Sequence, residues 1–230
     1  MTCAFIIDLN ILPKPSLAQV LAGKAVRCMT CAFKCFIISC NHLSLIMSIK
    51  YKFHDSTAIY FVSFAVVGWI VVFTRTVYRD LLLESLTYCR KEKGLNLHAW
   101  VIMSNHVHLI VSSREGYLLA NIMRDLKKYL AVRILKEIKD CSIESRKEWM
   151  LYLFAKAGQQ NSNNKNFQFW RQDNHPIELD PYSNMFEERI NYLHNNPVEA
   201  GLVANASDYL YCSAIDYEGG KGLIGIDLLV

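Results

Sequence analysis

The spacing of apolar residues along this chain alternates between the two-residue period of a β-strand and the 3.6-residue period of an α-helix. The longest helical pattern runs through residues 118–138. Its apolar side chains recur every three or four residues and comprise Leu119, Ile122, Met123, Leu126, Leu130, Ile134 and Ile138. A stripe of this length predicts a long helix with one face packed in a hydrophobic core.

Runs of β-branched and aromatic residues predict strands before and after this helix. They lie at residues 59–69, 96–103, 106–111 and 167–171. Only Ser104 and Asn105 separate the second run from the third. These two residues fit either a bend or the middle of one long strand.

Helical spacing predicts three further helices. They run from a cap at Thr74 or Thr76 to Gly94, over residues 144–157 and over residues 185–196. Pro197 is expected to end the last helix, because proline restricts the residue before it and lacks a backbone N–H.

The order of these segments is β-α-β-β-α-(insert)-β-α. It predicts an α+β fold, in which a small antiparallel sheet carries helices on one face in a ferredoxin-like arrangement. The 230 residues are enough for one elaborated domain, and 52% hydrophobic residues are enough to fill its core.

No segment has the pattern of a membrane span. The apolar run at residues 58–73 is 16 residues long, shorter than the roughly 20 that a helix needs to cross a bilayer. Eight cysteines in a chain of this composition favour reduced thiols over a disulfide scaffold. We therefore expect a soluble, cytoplasmic protein without a membrane partner.

Charge and periodicity divide the chain near Met47. Residues 1–46 carry four basic residues against one acid, which leaves 21 basic and 20 acidic residues in 47–230. A nearly neutral body needs a local basic face to bind nucleic acid. We predict a functional domain at residues 47–230 and an N-terminal appendage at residues 1–46, with a helical extension packed on the domain as the alternative.

The strand at residues 106–111 carries two histidines separated by one residue. Alternation places His106 and His108 on one face, and Val107 and Leu109 on the other. Two neighbouring imidazoles suit one metal ion, which then needs a third ligand from elsewhere. Two histidines on a polar sheet face are the alternative, and the pattern alone slightly favours it.

A tyrosine and an asparagine lie one turn apart in the helix at residues 185–196. At 100° per residue Tyr192 and Asn196 are about 40° apart and point away from the apolar stripe of that helix. Asn196 could offer its carbonyl oxygen to Mg²⁺ or Mn²⁺, and Tyr192 could act as a nucleophile. The alternatives are a tyrosine at the rim of an amphipathic helix and an asparagine at a helix C-terminus.

Three segments in this order resemble the REP-associated tyrosine transposases, relatives of the single-tyrosine insertion-sequence transposases in the HUH nuclease superfamily. The segments are WVIMSNHVHLIVS, RINYLHNNPVEAGLV and DYLYCSA. The resemblance begins at about Met47. The family commonly has two serines where this chain has Cys212 and Ser213, and it often has a shorter segment at about residues 141–166.

The resemblance implies an HUH endonuclease core that cleaves and rejoins single-stranded DNA at hairpin-bearing sites. By position, His106, His108 and Asn196 would hold Mg²⁺ or Mn²⁺, and Tyr192 would form a 5′-phosphotyrosine intermediate. The domain would then carry an insertion at about residues 141–166, and we expect a monomer or a homodimer. The alternatives are a relaxase or replication initiator, a hairpin-binding protein without turnover, and a metal-dependent hydrolase that does not use the tyrosine.

Contacts to DNA are expected at basic and aromatic residues outside the motifs. Arg124, Lys127 and Lys128 lie off the apolar stripe of the long helix and could contact phosphates. Trp170 and Arg171 combine an aromatic ring with a cation, as expected for stacking on unpaired bases. An ordinary solvated helix face is the alternative for each of the three basic residues on the helix.

Overall fold

The computed structural model describes Phe53, Asp55 and residues 58–161, 166–172 and 176–228. The strands are β1 (Ile59–Ala65), β2 (Leu95–Ile102), β3 (His106–Ser113) and β4 (Ile177–Leu179). The helices are α1 (Thr76–Glu92), α2 (Leu119–Asp140), α3 (Lys147–Gln159), α4 (Asn184–Glu199) and α5 (Ala214–Tyr217). None of these helices is both long and apolar enough to cross a bilayer. The predicted appendage at residues 1–46 lies outside the described residues and stays a prediction.

The four strands form one antiparallel sheet in the order β2-β3-β1-β4. β2 and β3 form a hairpin, in which the Met103 N–H donates to the His106 carbonyl at 2.9 Å. Ser104 and Asn105 are therefore a turn and not the middle of one strand. With α1 between β1 and β2, this topology confirms the predicted α+β, ferredoxin-like fold.

Helices cover both faces of the sheet. Tyr60, Val62 and Phe64 of β1 lie in the hydrophobic cluster formed with α1 and α2. Ile59 and Phe61 lie in a second cluster, which contains residues of α4 and of the C-terminal segment. The prediction of helices on one face is therefore incomplete, because α4 packs on the other.

The predicted long helix is confirmed as α2, and all seven residues of its apolar stripe are buried. α1 ends as predicted, because Gly94 follows it with a φ of +70°, which glycine adopts readily. Neither predicted threonine caps α1. Arg75 occupies the N-cap without a capping side chain, and the Thr74 hydroxyl donates to the Val71 carbonyl at 3.3 Å.

Two strand predictions differ from the structure. β1 ends at Ala65, because Gly68 and Trp69 have φ values of +62° and +56°, which a strand cannot contain. Residues 167–171 contribute only an isolated bridge between Trp170 and Val66. The fourth strand is instead β4, which is too short to show a two-residue period.

α4 also continues past Pro197, where the sequence predicted its end. The proline lies in the last turn, so the helix loses only one hydrogen bond. The Ala200 N–H donates to the Asn196 carbonyl at 3.0 Å, and the Leu202 N–H donates to the Pro197 carbonyl at 2.9 Å. Gly201, with a φ of +68°, then ends the helix.

A buried carboxylate fixes the segment between α2 and α3. Glu144 pairs with Arg75 at 2.7 Å and with Arg146 at 3.1 Å, and the Tyr78 hydroxyl donates to it at 3.3 Å. Burial acts to raise the pKa of Glu144, but hydrogen bonds from Arg146 and the charges of both arginines outweigh burial and lower it. Arg146 also donates to the Val71 carbonyl at 2.9 Å, which ties this segment to the loop between β1 and α1.

Replacing Glu144 by Gln should lower the free energy of unfolding by about 2 kcal/mol at pH 7, because two partly buried arginines lose their counter-charge. Since the folded pKa is lowered, the carboxylate stabilises the fold fully above its unfolded pKa of about 4.3 and loses this effect as the pH falls through the folded value. Urea unfolding should therefore show a difference from wild type that narrows below about pH 4.

The matched control is Glu115→Gln at an exposed position, which should change stability by less than about 0.5 kcal/mol. A Glu144→Gln difference that stays constant from neutral to acid pH would contradict an ion-pair origin.

Candidate active site

The central strand β3 presents two histidines to α4. Val107 and Leu109 pack in the cluster with α1 and α2, so His106 and His108 lie on the opposite face, as predicted. The centroids of the two imidazole rings are 4.9 Å apart. His106 is half-buried at the start of the strand, and His108 is buried.

α4 brings Tyr192 and Asn196 to this pair, because Leu193 on the same helix is buried against the sheet. The ring centroid of Tyr192 is 5.6 Å from that of His108, and the tyrosine is 42% exposed. The Asn196 side chain lies close enough to His106 to raise its pKa, and its Nδ2 donates to the Tyr192 carbonyl at 2.6 Å. The four side chains predicted for the reaction centre therefore meet in one place, while their roles stay predictions.

Two residues that the sequence did not predict complete this cluster. Phe61 of β1 stacks on His108 with centroids 5.3 Å apart, and it meets Tyr192 edge-on at 6.0 Å. The Arg189 guanidinium lies 5.5 Å from the Phe61 ring centroid, and Arg189 forms no ion pair within the described part of the chain. Arg189 lies one turn before Tyr192, on the same side of the helix as Asn196. This spacing in the sequence could have indicated Arg189 as a site residue.

Burial dominates the electrostatics of the histidines. Both ring nitrogens of His108 are buried and have no hydrogen-bond partner among the described residues. Burial lowers the pKa of His108 well below 6.5, and the charges of His106 and Arg189 lower it further. Burial lowers the pKa of His106 to about 4, against the opposing effect of the Asn196 side chain. Both rings are therefore neutral at pH 7, the form that binds metals.

Asn105 orients the first histidine. Its Oδ1 lies 2.7 Å from Nδ1 of His106, and its Nδ2 donates to the Trp69 carbonyl at 3.2 Å. A hydrogen bond of this kind fixes the ring and its tautomer and leaves Nε2 for another ligand. The sequence indicated Asn105 only as a bend residue.

The donor set fits a divalent ion with mixed nitrogen and oxygen ligands. The described residues contain no group of three His, Cys, Asp or Glu side chains arranged for a metal. A third protein ligand would therefore be of another type, and the Asn196 amide lies beside His106. Buried nitrogens without a partner, as in His108, are costly unless a ligand binds them.

The C-terminal segment attaches α4 to β2. The Ser213 Oγ accepts from the Trp100 N–H at 2.9 Å and lies 3.0 Å from Nε2 of His194. Burial lowers the pKa of His194 to about 4. The neighbouring Cys212 is buried and forms a β-bridge with Val101. The tail motif that the sequence indicated only by resemblance therefore positions the helix that carries Tyr192.

Three of the four basic residues predicted to contact DNA, Arg124, Lys127 and Lys128, lie on α2, which packs on the opposite face of the sheet from α4. Arg124 and Lys128 are exposed, and Arg124 pairs with Asp125 at 3.0 Å. The Lys127 ammonium lies 5.6 Å from the Phe64 ring centroid. The structure does not group these residues with the histidines, and their binding to DNA stays a prediction.

Trp170 does not lie on a binding surface. It is 7% exposed, its ring centroid is 4.6 Å from that of Phe169, and its Nε1–H donates to the Lys127 carbonyl at 3.0 Å. A core ring cannot stack on unpaired bases in this arrangement, which corrects the prediction for Trp170. Arg171 is exposed, and its guanidinium lies 4.9 Å from the Trp69 ring centroid.

Known proteins resemble this chain in sequence and in fold. Residues 70–165 match the family model described as Transposase IS200 like, a segment that contains both histidines and ends before α4. A solved structure of a REP-associated tyrosine transposase bound to a REP hairpin is 16% identical, with 78% of this chain and 89% of that chain covered and a TM-score of 0.53. At this identity the likeness establishes the fold.

A crystal structure of a presumed transposase from Deinococcus radiodurans R1 is 17% identical, with 63% of this chain and 94% of that chain covered and a TM-score of 0.38. No curated protein matches the sequence.

Replacing Ser213 by Ala should lower the free energy of unfolding by about 2 kcal/mol, because the buried Trp100 N–H and His194 Nε2 lose a partner. Thermal and urea unfolding would measure this loss. Ser142→Ala, at an exposed serine between α2 and α3, is the control and should stay within about 0.5 kcal/mol of wild type. Equal stabilities of the two variants would contradict the role of Ser213 as an anchor.

Proposed function

We propose that this chain, which matches the IS200-like transposase family model over residues 70–165, cleaves and rejoins single-stranded DNA beside a hairpin through a bond to Tyr192. The observation that carries the proposal is the meeting of Tyr192 with the His106 and His108 pair, at 5.6 Å between the ring centroids of Tyr192 and His108. A hydroxyl nucleophile beside a pair of potential metal ligands is the residue set that phosphodiester transfer needs.

The exposure of Tyr192 supports its role as the nucleophile. In the proposed step its phenolic oxygen bonds to phosphorus, and the bond from phosphorus to the 3′ oxygen breaks. The phenol proton passes to solvent, which returns a proton to the leaving oxygen. The products are a 5′-phosphotyrosine and a free 3′-hydroxyl. Attack by another 3′-hydroxyl reverses the step and rejoins the strands, since one phosphate ester is exchanged for another.

The proposed metal is Mg²⁺ or Mn²⁺, held by His106, His108 and the amide oxygen of Asn196. When bound, such an ion supplies Lewis-acid polarisation of a phosphate oxygen. Asn105 orients the His106 ring for this task through the hydrogen bond at Nδ1. The stacked Phe61 ring holds His108 from the side of β1.

Arg189 is a second group suited to the scissile phosphate. It lies one turn before Tyr192, beside Phe61, and it has no ion-pair partner among the described residues. A planar guanidinium binds two phosphate oxygens at once, which would align phosphorus with the tyrosine oxygen.

Two other tyrosines of the tail motif are poorer nucleophiles. The Tyr209 hydroxyl donates to the Ile102 carbonyl at 3.0 Å, and burial raises the pKa of Tyr209. Tyr211 is buried, with the Arg79 guanidinium 4.2 Å from its ring centroid. Neither residue has a ring contact with the histidine pair like that of Tyr192.

The proposed substrate includes a hairpin. A structure of similar fold holds a REP hairpin, and we extend that kind of partner to this chain as part of the proposal. The exposed Arg124 and Lys128 of α2 would contact phosphates of the stem, with an affinity that falls as salt rises.

Replacing Tyr192 by Phe should abolish cleavage, because the variant lacks the attacking oxygen. The ring and its contacts with His108 and Phe61 remain, so the free energy of unfolding should stay within about 1 kcal/mol of wild type. The measurement is a denaturing gel after incubation with hairpin-bearing single-stranded DNA and Mn²⁺, on which only proteins with the nucleophile form a covalent adduct.

Tyr182→Phe is the matched control, because Tyr182 is 96% exposed just before α4 and should be dispensable for the adduct. An adduct that persists in Tyr192→Phe would assign the nucleophile elsewhere. Wild-type protein that binds the hairpin without forming an adduct would instead support a hairpin-binding protein without turnover.

Replacing His108 by Leu tests whether His108 binds a metal ion or only stabilises the fold. Because the buried imidazole has no partner among the described residues, Leu should leave the stability in EDTA unchanged or raise it. Mn²⁺ at 100 times its dissociation constant should stabilise wild type by about 2.7 kcal/mol and should not stabilise the variant. Melting temperatures with and without Mn²⁺ measure both effects. A variant that keeps the Mn²⁺ response would contradict the metal site.

A further inference from the structure

The turn that follows β1 carries an exposed tryptophan beside the candidate active site. Val67–Trp69 forms this turn, and Trp69 is 47% exposed. Trp69 belongs to neither hydrophobic cluster of the described residues, in contrast to the buried Trp100 and Trp170.

The backbone of Trp69 has a φ of +56°, and it is the one non-glycine residue with a positive φ in the described part of the chain. This region of backbone conformation suits glycine or asparagine and disfavours a bulky side chain. Two hydrogen bonds to backbone groups of Trp69 hold the turn, from the Trp69 N–H to Val66 at 3.1 Å and from Asn105 to the Trp69 carbonyl at 3.2 Å. A large ring at such a position indicates a use for the ring itself.

The neighbours of the ring indicate what that use is. The Arg171 guanidinium lies 4.9 Å from the Trp69 ring centroid, in a cation–π contact. The indole also meets His106 edge-on, with centroids 6.3 Å apart. His106 is a proposed metal ligand. At roughly 3.4 Å per nucleotide, the indole and its paired cation therefore lie within about two nucleotides of it.

We propose that Trp69 and Arg171 form a subsite in which an unpaired base next to the scissile phosphate stacks on the indole. Every base has a π face, so stacking on tryptophan binds single strands with little sequence preference. Arg171 would neutralise the phosphate of the same nucleotide. This inference rests on the proposed function, because it names how the strand beside the hairpin is held at that site.

The test compares two DNA probes in EDTA, which prevents metal-dependent cleavage. One is a hairpin alone, and the other is the same hairpin with a single-stranded extension of about eight nucleotides, placed 5′ or 3′, within the site sizes of single-strand binders. Wild type should bind an extended hairpin more tightly than the stem alone. Trp69→Gly should weaken binding of the extended hairpin by about 5- to 150-fold and change stem binding by less than about twofold.

Trp69→Gly suits the backbone at this position, so its melting temperature should stay within about 4 °C of wild type. Trp69→Phe keeps an aromatic face and should lose less affinity than Trp69→Gly. The matched control is Tyr129→Ala on α2, since Tyr129 is 55% exposed and has the Arg133 guanidinium 5.9 Å from its ring centroid. This control should keep the affinity for both probes.

The outcomes separate the subsite from the proposed function. If wild type forms the covalent adduct and gains affinity from the extension, but Trp69→Gly binds that extension equally well, the subsite is overturned and the function stands. If wild type forms no adduct, yet the gain from the extension is lost in Trp69→Gly, the nuclease fails and the subsite is supported. If Trp69→Gly weakens binding of the stem alone as much as binding of the extended hairpin, the substitution affects DNA binding in general, and the subsite is overturned.

Discussion

β3 is hydrogen-bonded to β2 along one edge and to β1 along the other, and both of its faces are covered. A polar side chain on such a strand reaches water only near the strand end. His106, the first residue of β3, is accordingly half-buried, whereas His108 two residues later is buried with both ring nitrogens unpartnered among the described residues. This position keeps both imidazoles neutral and leaves α4 and Asn105 of the β2–β3 turn to supply the polar groups around them.

Stability and chemistry are divided between the two faces of the sheet. The larger hydrophobic cluster lies with α1 and α2 and contains the long apolar stripe of α2. The smaller cluster lies under α4, where Leu193 and the Ser213 hydrogen bonds hold the helix in place. A site with an unsatisfied buried imidazole is costly, and a large separate core makes that cost tolerable.

Local periodicity was enough to predict β3, α2 and α4, and with them the meeting of His106 and His108 on one face. It failed where the outcome depends on distant neighbours. Arg171 directly follows Trp170 in the sequence, whereas Trp69 lies in an apolar run, yet packing against Phe169 and the Lys127 carbonyl places Trp170 in the core and leaves Trp69 exposed beside Arg171. The sequence pattern also did not predict the positive φ of Trp69, because the apolar run of β1 continues into the turn.

The loop that carries Trp69 is held from two sides. Asn105 binds the Trp69 carbonyl next to the histidines, and Arg146 binds the Val71 carbonyl from the segment between α2 and α3. Glu144 holds Arg146 and Arg75 at the base of the same loop. A disfavoured backbone conformation persists only when its surroundings over-determine it, and these contacts on both sides of Trp69 meet that condition. The Glu144 ion pairs therefore link the segment predicted as an insertion to the position of the proposed stacking ring, although they make no contact with the histidines.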